Sequence, residues 1–174
     1  MKKKTLWIAE TAVMIALLVA LQGLTKPAGQ FVTGSCVNLI LGVATLVGGL
    51  WCGLTVALLS PFFAFLLGIG PALIQIVPAI AVGNIVLVVL LWLLSRKGSK
   101  LSALHYGGAV VASVCKFAAL YALVVLLLLP LLGLPDKQVA VLSASFSWPQ
   151  LVTALIGSFL AVTVAPTIRK ALRR

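Results

Sequence analysis

Long apolar runs with short polar interruptions dominate the chain. A helix that spans a bilayer needs about 20 consecutive apolar residues, and six such runs follow one another with little sequence between them. The pattern predicts an all-α fold, a polytopic membrane bundle of six transmembrane helices that forms a single transmembrane domain over residues 1–174. The predicted spans cover about residues 6–24, 35–51, 53–69, 72–94, 106–132 and 147–166.

The connections between the second, third and fourth spans are the shortest. The second span meets the third at Trp51, Cys52 and Gly53, with almost no sequence between them. Pro61 and the run Gly68–Pro71 interrupt the chain around the third span and predict a turn before the fourth. The first apolar run is expected to be a retained helix rather than a cleaved signal peptide, because it is long and no clear small-x-small site follows it.

Composition agrees with a membrane protein. The chain is 63% hydrophobic and 9% charged, with a mean hydropathy of +1.26, whereas a soluble domain carries about 25% charged residues. Too few polar side chains are present to cover a surface that faces water. Six spans with short loops use up the chain and leave no room for a second, soluble domain.

The basic residues predict the orientation of the bundle. The formal net charge is +11, and ten of the 13 basic residues fall on one side of a six-span topology: Lys2, Lys3, Lys4, Arg96, Lys97, Lys100, Arg169, Lys170, Arg173 and Arg174. Lys26 and Lys137 fall on the other side. Since Lys and Arg concentrate in cytoplasmic segments, both termini are predicted to be cytoplasmic. These clusters lack aromatic interleaving, so no nucleic-acid partner is expected.

Small residues recur at four-residue spacing on two predicted helices. Ala12, Ala16 and Ala20, here called the alanine face, line one side of the first helix. A second set on the sixth helix consists of Gly157, Ala161 and Ala165. Small side chains let helices approach closely in lipid, where packing drives association. The spacing therefore predicts close helix contacts, either within the bundle or with a partner protein.

Lys116 is the most informative residue of the sequence. It lies about ten residues into the fifth predicted span, which is roughly 15 Å from the cytoplasmic end. A lysine near the bilayer midplane costs about 2.5–3.5 kcal/mol on insertion scales. Gly108 and Ala112 precede it at helical spacing and predict that it faces the bundle. Lys116 could have a structural role, in which it pairs with Glu10, extends towards the nearer interface or is partly deprotonated, or it could bind an anionic group of a substrate.

Five further polar residues fall in the middle or outer half of the predicted spans. They are Asn38, Gln75, Asn84, Tyr121 and Gln150. Amides in lipid need hydrogen-bond partners, so each could serve helix-to-helix bonding alone. Their concentration favours a small polar pocket, together with Lys116, that opens to the outside. The outer segment 25–35 could act as a lid over it or as a passive connector.

Enzymatic chemistry finds little support in the sequence. The chain has two acidic residues, Glu10 and Asp136, and one histidine, His105. Asp136 is predicted in an outer loop and His105 at the border of the cytoplasmic loop, so these two cannot form a catalytic dyad across the membrane. No GxxxxGK[ST] run is present for nucleotide binding. The three cysteines are scattered and form no CxxC pair, which argues against a disulfide framework and against a zinc site. No metal and no cofactor are expected. Without an intramembrane series of acids for ion coupling, the bundle is expected to depend on a partner.

The size, the basic termini, the six predicted spans and the alanine face together resemble the substrate-binding S components of the energy-coupling factor (ECF) transporters of bacteria. The stretch from Leu58–Pro61 to Gly70 and Pro71, followed by Gly83 and Asn84, is also similar to members of this group. The resemblance covers nearly the whole chain.

The resemblance implies a function and a set of partners. It implies a protein of the bacterial cell membrane that binds a vitamin or related micronutrient from outside. The alanine face would dock on a transmembrane coupling protein that carries two cytoplasmic ATPases. Two alternatives come from other classes: a structural or assembly membrane subunit without a small-molecule ligand, and a stand-alone secondary transporter.

Overall fold

The computed structural model describes residues 2–95 and 103–172, with the backbone alone for residues 2–5. Most of the basic residues that predict the orientation lie outside this description: the side chains of Lys2, Lys3 and Lys4, and residues Arg96, Lys97, Lys100, Arg173 and Arg174. The cytoplasmic location of both termini therefore remains a prediction.

The described residues are about 90% helical and contain no strand. The helices are α1 (Lys2–Thr25), α2 (Gln30–Gly48), α3 (Leu50–Leu66), α4 (Val77–Ser95), α5 (Ala103–Leu120), α6 (Leu129–Leu131), α7 (Asp136–Ser145) and α8 (Trp148–Ala171). Short 3-10 turns at Lys26–Ala28 and Ile74–Ile76 precede α2 and α4. A π-helical stretch, Tyr121–Leu128, joins α5 to the single turn of α6. The all-α class is confirmed.

Five helical segments are long and apolar enough to cross a membrane, by length and composition. They are Leu6–Ala28, Gln30–Gly48, Ile74–Ser95, Ala103–Leu131 and Asp136–Ala171. The sixth apolar helix, α3, is shorter and packs against α1, α2 and α4. The protein is thus a multi-pass membrane bundle with six apolar helices, and a full crossing by α3 remains a prediction.

The turns on either side of α2 differ in position from those that the sequence pattern predicts. The break between α2 and α3 is at Gly49, whose φ of 91° suits a residue without a Cβ, so Trp51–Gly53 belongs to α3 rather than to a turn. The predicted outer segment 25–35 is mostly helical, because α2 begins at Gln30 directly after Gly29 with a φ of 88°. Pro61 lies inside α3 without ending it.

The predicted outer connection between the last two spans contains a helix of its own, α7. It follows Pro135 and has no buried residue. Phe146, directly after it, is buried against a small apolar cluster with Val124 and Leu129. This contact holds the end of α7 over the interior of the bundle.

The most extensive helix contact joins α2 to α8, which run in the same direction. A Cβ on Gly34 would lie 2.9 Å from Thr153, and one on Gly42 would lie 2.4 Å from the Cβ of Ala161. Gly157, between these two levels, lies equally close to α2. The small residues of α8 therefore serve contacts within the bundle, as expected for helices that approach closely in lipid.

Candidate functional site

A buried lysine held by two amides forms the centre of the candidate site. Lys116 on α5 is 3% exposed, and its Nζ donates hydrogen bonds to Oδ1 of Asn38 at 2.6 Å and to Oδ1 of Asn84 at 2.7 Å. Both asparagines are 2% exposed. A lysine ammonium has three donor hydrogens, so two are used by the protein and one remains for another acceptor. The sequence left open an extension of Lys116 towards the nearer interface. The structure instead directs its ammonium to two amides within the bundle.

The asparagine on α2 is oriented by its own hydrogen bonds. Nδ2 of Asn38 donates to the carbonyl of Gly34 at 2.9 Å and lies 3.5 Å from Oγ1 of Thr153. These contacts fix which end of the amide points away and leave Oδ1 facing Lys116. The carbonyl dipoles of Asn38 and Asn84 replace part of the hydration that the ammonium loses on burial.

Small residues bring the three helices close enough for this contact. Gly83, next to Asn84, leaves room for Leu120, because a Cβ there would lie 2.6 Å from its Cγ. On α5 itself, Gly108 and Ala112 are buried on the same face as Lys116, as their spacing predicts. The contact of Lys116 with Asn38 and Asn84 therefore depends on close approach between α4 and α5 and between α2 and α8.

A cavity of about 370 Å³ extends from Lys116 to the end of the bundle where α1 ends and α2 begins, which is here called its upper end. Pockets for small organic ligands usually measure about 300–1,000 Å³, so this cavity suits a small molecule. Its apolar walls come mainly from five residues on α3, α4, α5, α7 and the position after α7: Pro61, Ile80, Leu120, Leu142 and Phe146. These walls would bury the carbon skeleton of a ligand.

The mouth of the cavity is bridged by hydrogen bonds between separate elements. Lys26 Nζ donates to the carbonyl of Gly68 at 2.5 Å. The carbonyl of Ser145, at the end of α7, accepts from Nε2 of Gln30 at 2.6 Å and from Nε2 of Gln150 at 3.2 Å. The start of α2, the turn after α3 and the end of α7 therefore enclose the upper part of the cavity.

Three polar atoms in the cavity wall lack a partner. Oε1 of Gln22, Oγ1 of Thr33 and Oγ of Ser60 are buried and make no hydrogen bond within the described part of the chain. All three residues line the cavity. Because an unsatisfied buried polar group is costly, their concentration at one cavity indicates a place for polar groups from outside the protein.

The charge of the cavity wall has one sign. Lys116 and Lys26 line it, and no carboxylate does so among the residues that the structure describes. Within residues 2–95 and 103–172, no group of three or more metal-ligating side chains is present either. The charge of the described lining is therefore suited to an anion.

The structure brings together four of the six candidate binding residues from the sequence. Lys116, Asn84, Asn38 and Gln150 line the cavity. The other two side chains are exposed and lie outside its lining: Tyr121, whose ring contacts Phe117 at a centroid distance of 6.0 Å, and Gln75. Their helical positions turn both away from the interior.

The sequence pattern did not identify Gln22, Thr33, Ser60 or Lys26 as binding residues. Two of them, Lys26 and Thr33, belong to segment 25–35, which composition identifies only as a loop. The available signal was Gln22 and Thr33 near the ends of the first two predicted spans and Ser60, directly before Pro61, in the middle of the third. Single polar residues at such positions are common, so only the cavity shows that they belong together.

The alanine face lies on the outside of the bundle. Ala12, Ala16 and Ala20 are all exposed along α1, and exposed Val13 and Leu17 flank them. This stripe is apolar and low in relief, in contrast to the small residues of α8, which are buried against α2.

Comparison with known proteins gives one match. The family model described as "ECF transporter, substrate-specific component" matches residues 7–169, which is nearly the whole chain. Neither a curated protein nor a solved structure gives a significant match.

Proposed function

Since the chain belongs to the family of substrate-specific components of ECF transporters, we propose that it is the substrate-capture subunit of an ECF-type importer. Its ligand is a vitamin or related micronutrient with an anionic group that binds Lys116. Members of the family bind small-molecule substrates and partner with a module of a transmembrane protein and ATPases. Membership favours capture over the two alternatives, an assembly subunit without a ligand and a stand-alone transporter.

The observation that carries the proposal is the buried ammonium of Lys116 at the base of the cavity. Two neutral amide oxygens lie at 2.6 and 2.7 Å from it, and they compensate only part of the cost of burying a charge. A carboxylate or phosphate on the ligand would supply the missing negative charge and accept the third ammonium hydrogen. The absence of any carboxylate from the described lining leaves this role to the ligand.

The side from which the ligand enters follows from the predicted topology. The cavity lies at the end of the bundle where α1 ends and α2 begins. With a cytoplasmic N-terminus, this end faces the outside of the cell. Capture from outside then requires that the mouth between Gln30, Gln150 and Ser145 opens and closes around the ligand.

Delivery would use the exposed alanine face. Small side chains allow another helix to approach the backbone of α1 closely, and the coupling protein of the importer is the partner that the family implies. ATP hydrolysis in the two cytoplasmic ATPases would supply the energy, because the described bundle has no nucleotide-binding loop of its own.

The first test is mass spectrometry of small molecules released by denaturing the purified protein. A capture subunit is expected to release one anionic compound in stoichiometric amount, and the Lys116→Met variant is expected to release much less of it. Lys137→Met is the matched control, because Lys137 is exposed on α7 outside the cavity. A protein purified empty from nutrient-replete cells would contradict the proposal.

A further inference from the structure

The cavity has a set of unsatisfied polar groups that is separate from Lys116. Ser60 is 1% exposed and Gln22 is 9% exposed, yet Oγ of Ser60 and Oε1 of Gln22 make no hydrogen bond to any described residue. Oγ1 of Thr33 shares this condition. They come from α3, α1 and α2, so three helices direct unpaired polar atoms at one space.

Two members of this set, Gln22 and Thr33, here called the upper pair, lie nearer the mouth than the lysine does, because Gln22 is near the end of α1 and Thr33 is in the first turn of α2. Ser60 lies as many residues after the break at Gly49 as Asn38 lies before it, so Ser60 is at about the depth of Asn38. Thr33 precedes Asn38, the partner of Lys116, by five residues on the same helix. At 1.5 Å per residue this corresponds to about 7.5 Å along the helix axis. A ligand that reaches both ends of the cavity must therefore be elongated, with polar groups separated by about that distance.

The three unpaired atoms determine which ligand groups can bind to them. Oε1 of Gln22 is a carbonyl oxygen and can only accept, whereas the hydroxyls of Thr33 and Ser60 can donate or accept. A ligand hydroxyl or amide N–H can satisfy the acceptor and also bond to the hydroxyls. An ammonium group is disfavoured there, because the described lining contains two lysines and no carboxylate.

We propose that the ligand is an elongated organic acid with an uncharged hydroxyl or amide N–H group at the end opposite its acid. The acid binds Lys116, and the uncharged donor binds Gln22 and Thr33. This inference rests on the proposed capture function and narrows its substrate class to anions that carry no ammonium group.

Four six-carbon probes test the two ends separately, with dissociation constants measured by titration calorimetry on the purified, ligand-stripped full chain. 6-Hydroxyhexanoate carries both groups, hexanoate lacks the hydroxyl, 6-hydroxyhexanamide lacks the charge, and 6-aminohexanoate replaces the hydroxyl with an ammonium. We expect 6-hydroxyhexanoate to bind most tightly, by up to about tenfold over hexanoate for one neutral hydrogen bond. The preference over the amide and the ammonium compound should be about tenfold or more.

Two variants locate the upper pair. Gln22→Leu and Thr33→Val should each reduce the ratio of affinities between 6-hydroxyhexanoate and hexanoate, while the preference for acid over amide remains. Ser95→Ala is the matched control, because Oγ of Ser95 is also buried and unpaired among the described residues but does not line the cavity. A ratio of affinities is compared within each variant, so a general loss of stability does not imitate the effect.

The outcomes separate this inference from the proposed function. Equal binding of hexanoate and 6-hydroxyhexanoate, or tightest binding of 6-aminohexanoate, would overturn the inference and leave anion capture in place. Equal binding of the acid and the amide would instead contradict anion capture at Lys116. If none of the four probes binds, the inference fails, and the compound released from the purified protein decides on capture independently.

Discussion

Gly157 on α8 leaves no room for a methyl group beside Asn38 on α2, since a Cβ on Gly157 would lie 2.5 Å from the Cβ of Asn38. The same Cβ would lie 2.6 Å from the carbonyl oxygen of Ser35 and 2.7 Å from the amide nitrogen of Leu39. Asn38 in turn accepts a hydrogen bond from Lys116. The packing of two parallel helices thus positions one partner of the buried ammonium.

Gly157→Ala is expected to destabilise the protein and to weaken ligand binding together. The backbone of α2 cannot move aside as a flexible side chain would, so the added methyl must separate α2 from α8 and shift Asn38. Overpacking of this kind costs about 1–3 kcal/mol. Thermal unfolding and ligand titration in detergent measure both effects.

The control for this substitution is Gly107→Ala on α5. Gly107 is exposed, and a Cβ there would meet nothing within 4 Å. Because alanine favours a helix over glycine by about 1 kcal/mol, this variant should unfold at the same or a higher temperature. Equal unfolding temperatures and equal ligand affinities of the two variants would contradict the close packing of Gly157.

Lys116→Met is expected to reduce affinity for the anionic ligand strongly while the bundle still folds. Truncating one partner of a buried charge pair costs about 2–5 kcal/mol, which corresponds to a loss of tens- to thousands-fold. Methionine retains the apolar length of the side chain, so packing around α5 should be preserved. Titration with the released compound measures the loss, and unchanged affinity would exclude Lys116 from the binding site.

Asn84→Asp is expected to lower affinity for the anion without lowering stability. A carboxylate in place of the amide oxygen, which lies 2.7 Å from Nζ of Lys116, would pair with the ammonium and compete with the ligand. We expect at least a tenfold loss, with an unfolding temperature equal to or above that of the unmodified protein. Stronger anion binding by this variant would show that the ammonium is not the anion site.

Ala16→Leu is expected to prevent assembly with the coupling module and to leave ligand binding unchanged. The added side chain would stand out from the centre of the alanine face and hold a partner helix away. Co-purification of the coupling protein and ATPases measures assembly. Ala118→Leu on α5 makes the same change at another exposed alanine, and loss of assembly in both variants would argue against a specific alanine face.

Lys116 illustrates how much of the site is readable from the sequence. A charged residue deep in an apolar run is rare enough to indicate a role by itself, and its small neighbours at helical spacing predict that it faces inwards. The identity of its partners is a different matter. Asn38 and Asn84 lie 78 and 32 residues away along the chain, and no local pattern connects them to it.

Tyr121 and Gln75 show why the sequence could not separate candidate residues that line the cavity from those that lie outside it. Both are polar residues at a suitable depth, and both turn outwards. In a soluble helix the apolar stripe marks the buried face, but in lipid the outer face is as apolar as the core. Rotation about the helix axis therefore leaves little trace in the pattern, and depth alone selected these residues.

The sequence by itself determined an all-α membrane bundle, the alanine face and the singular position of Lys116, because apolar run length, residue size and the cost of a buried charge are local properties. Only the tertiary structure decided that Gln22, Thr33 and Ser60 share a cavity with Lys116 and that α8 packs its small residues against α2. These relationships depend on how helices rotate and approach one another. Packing between distant segments sets that geometry, and hydrophobicity along the chain does not encode it.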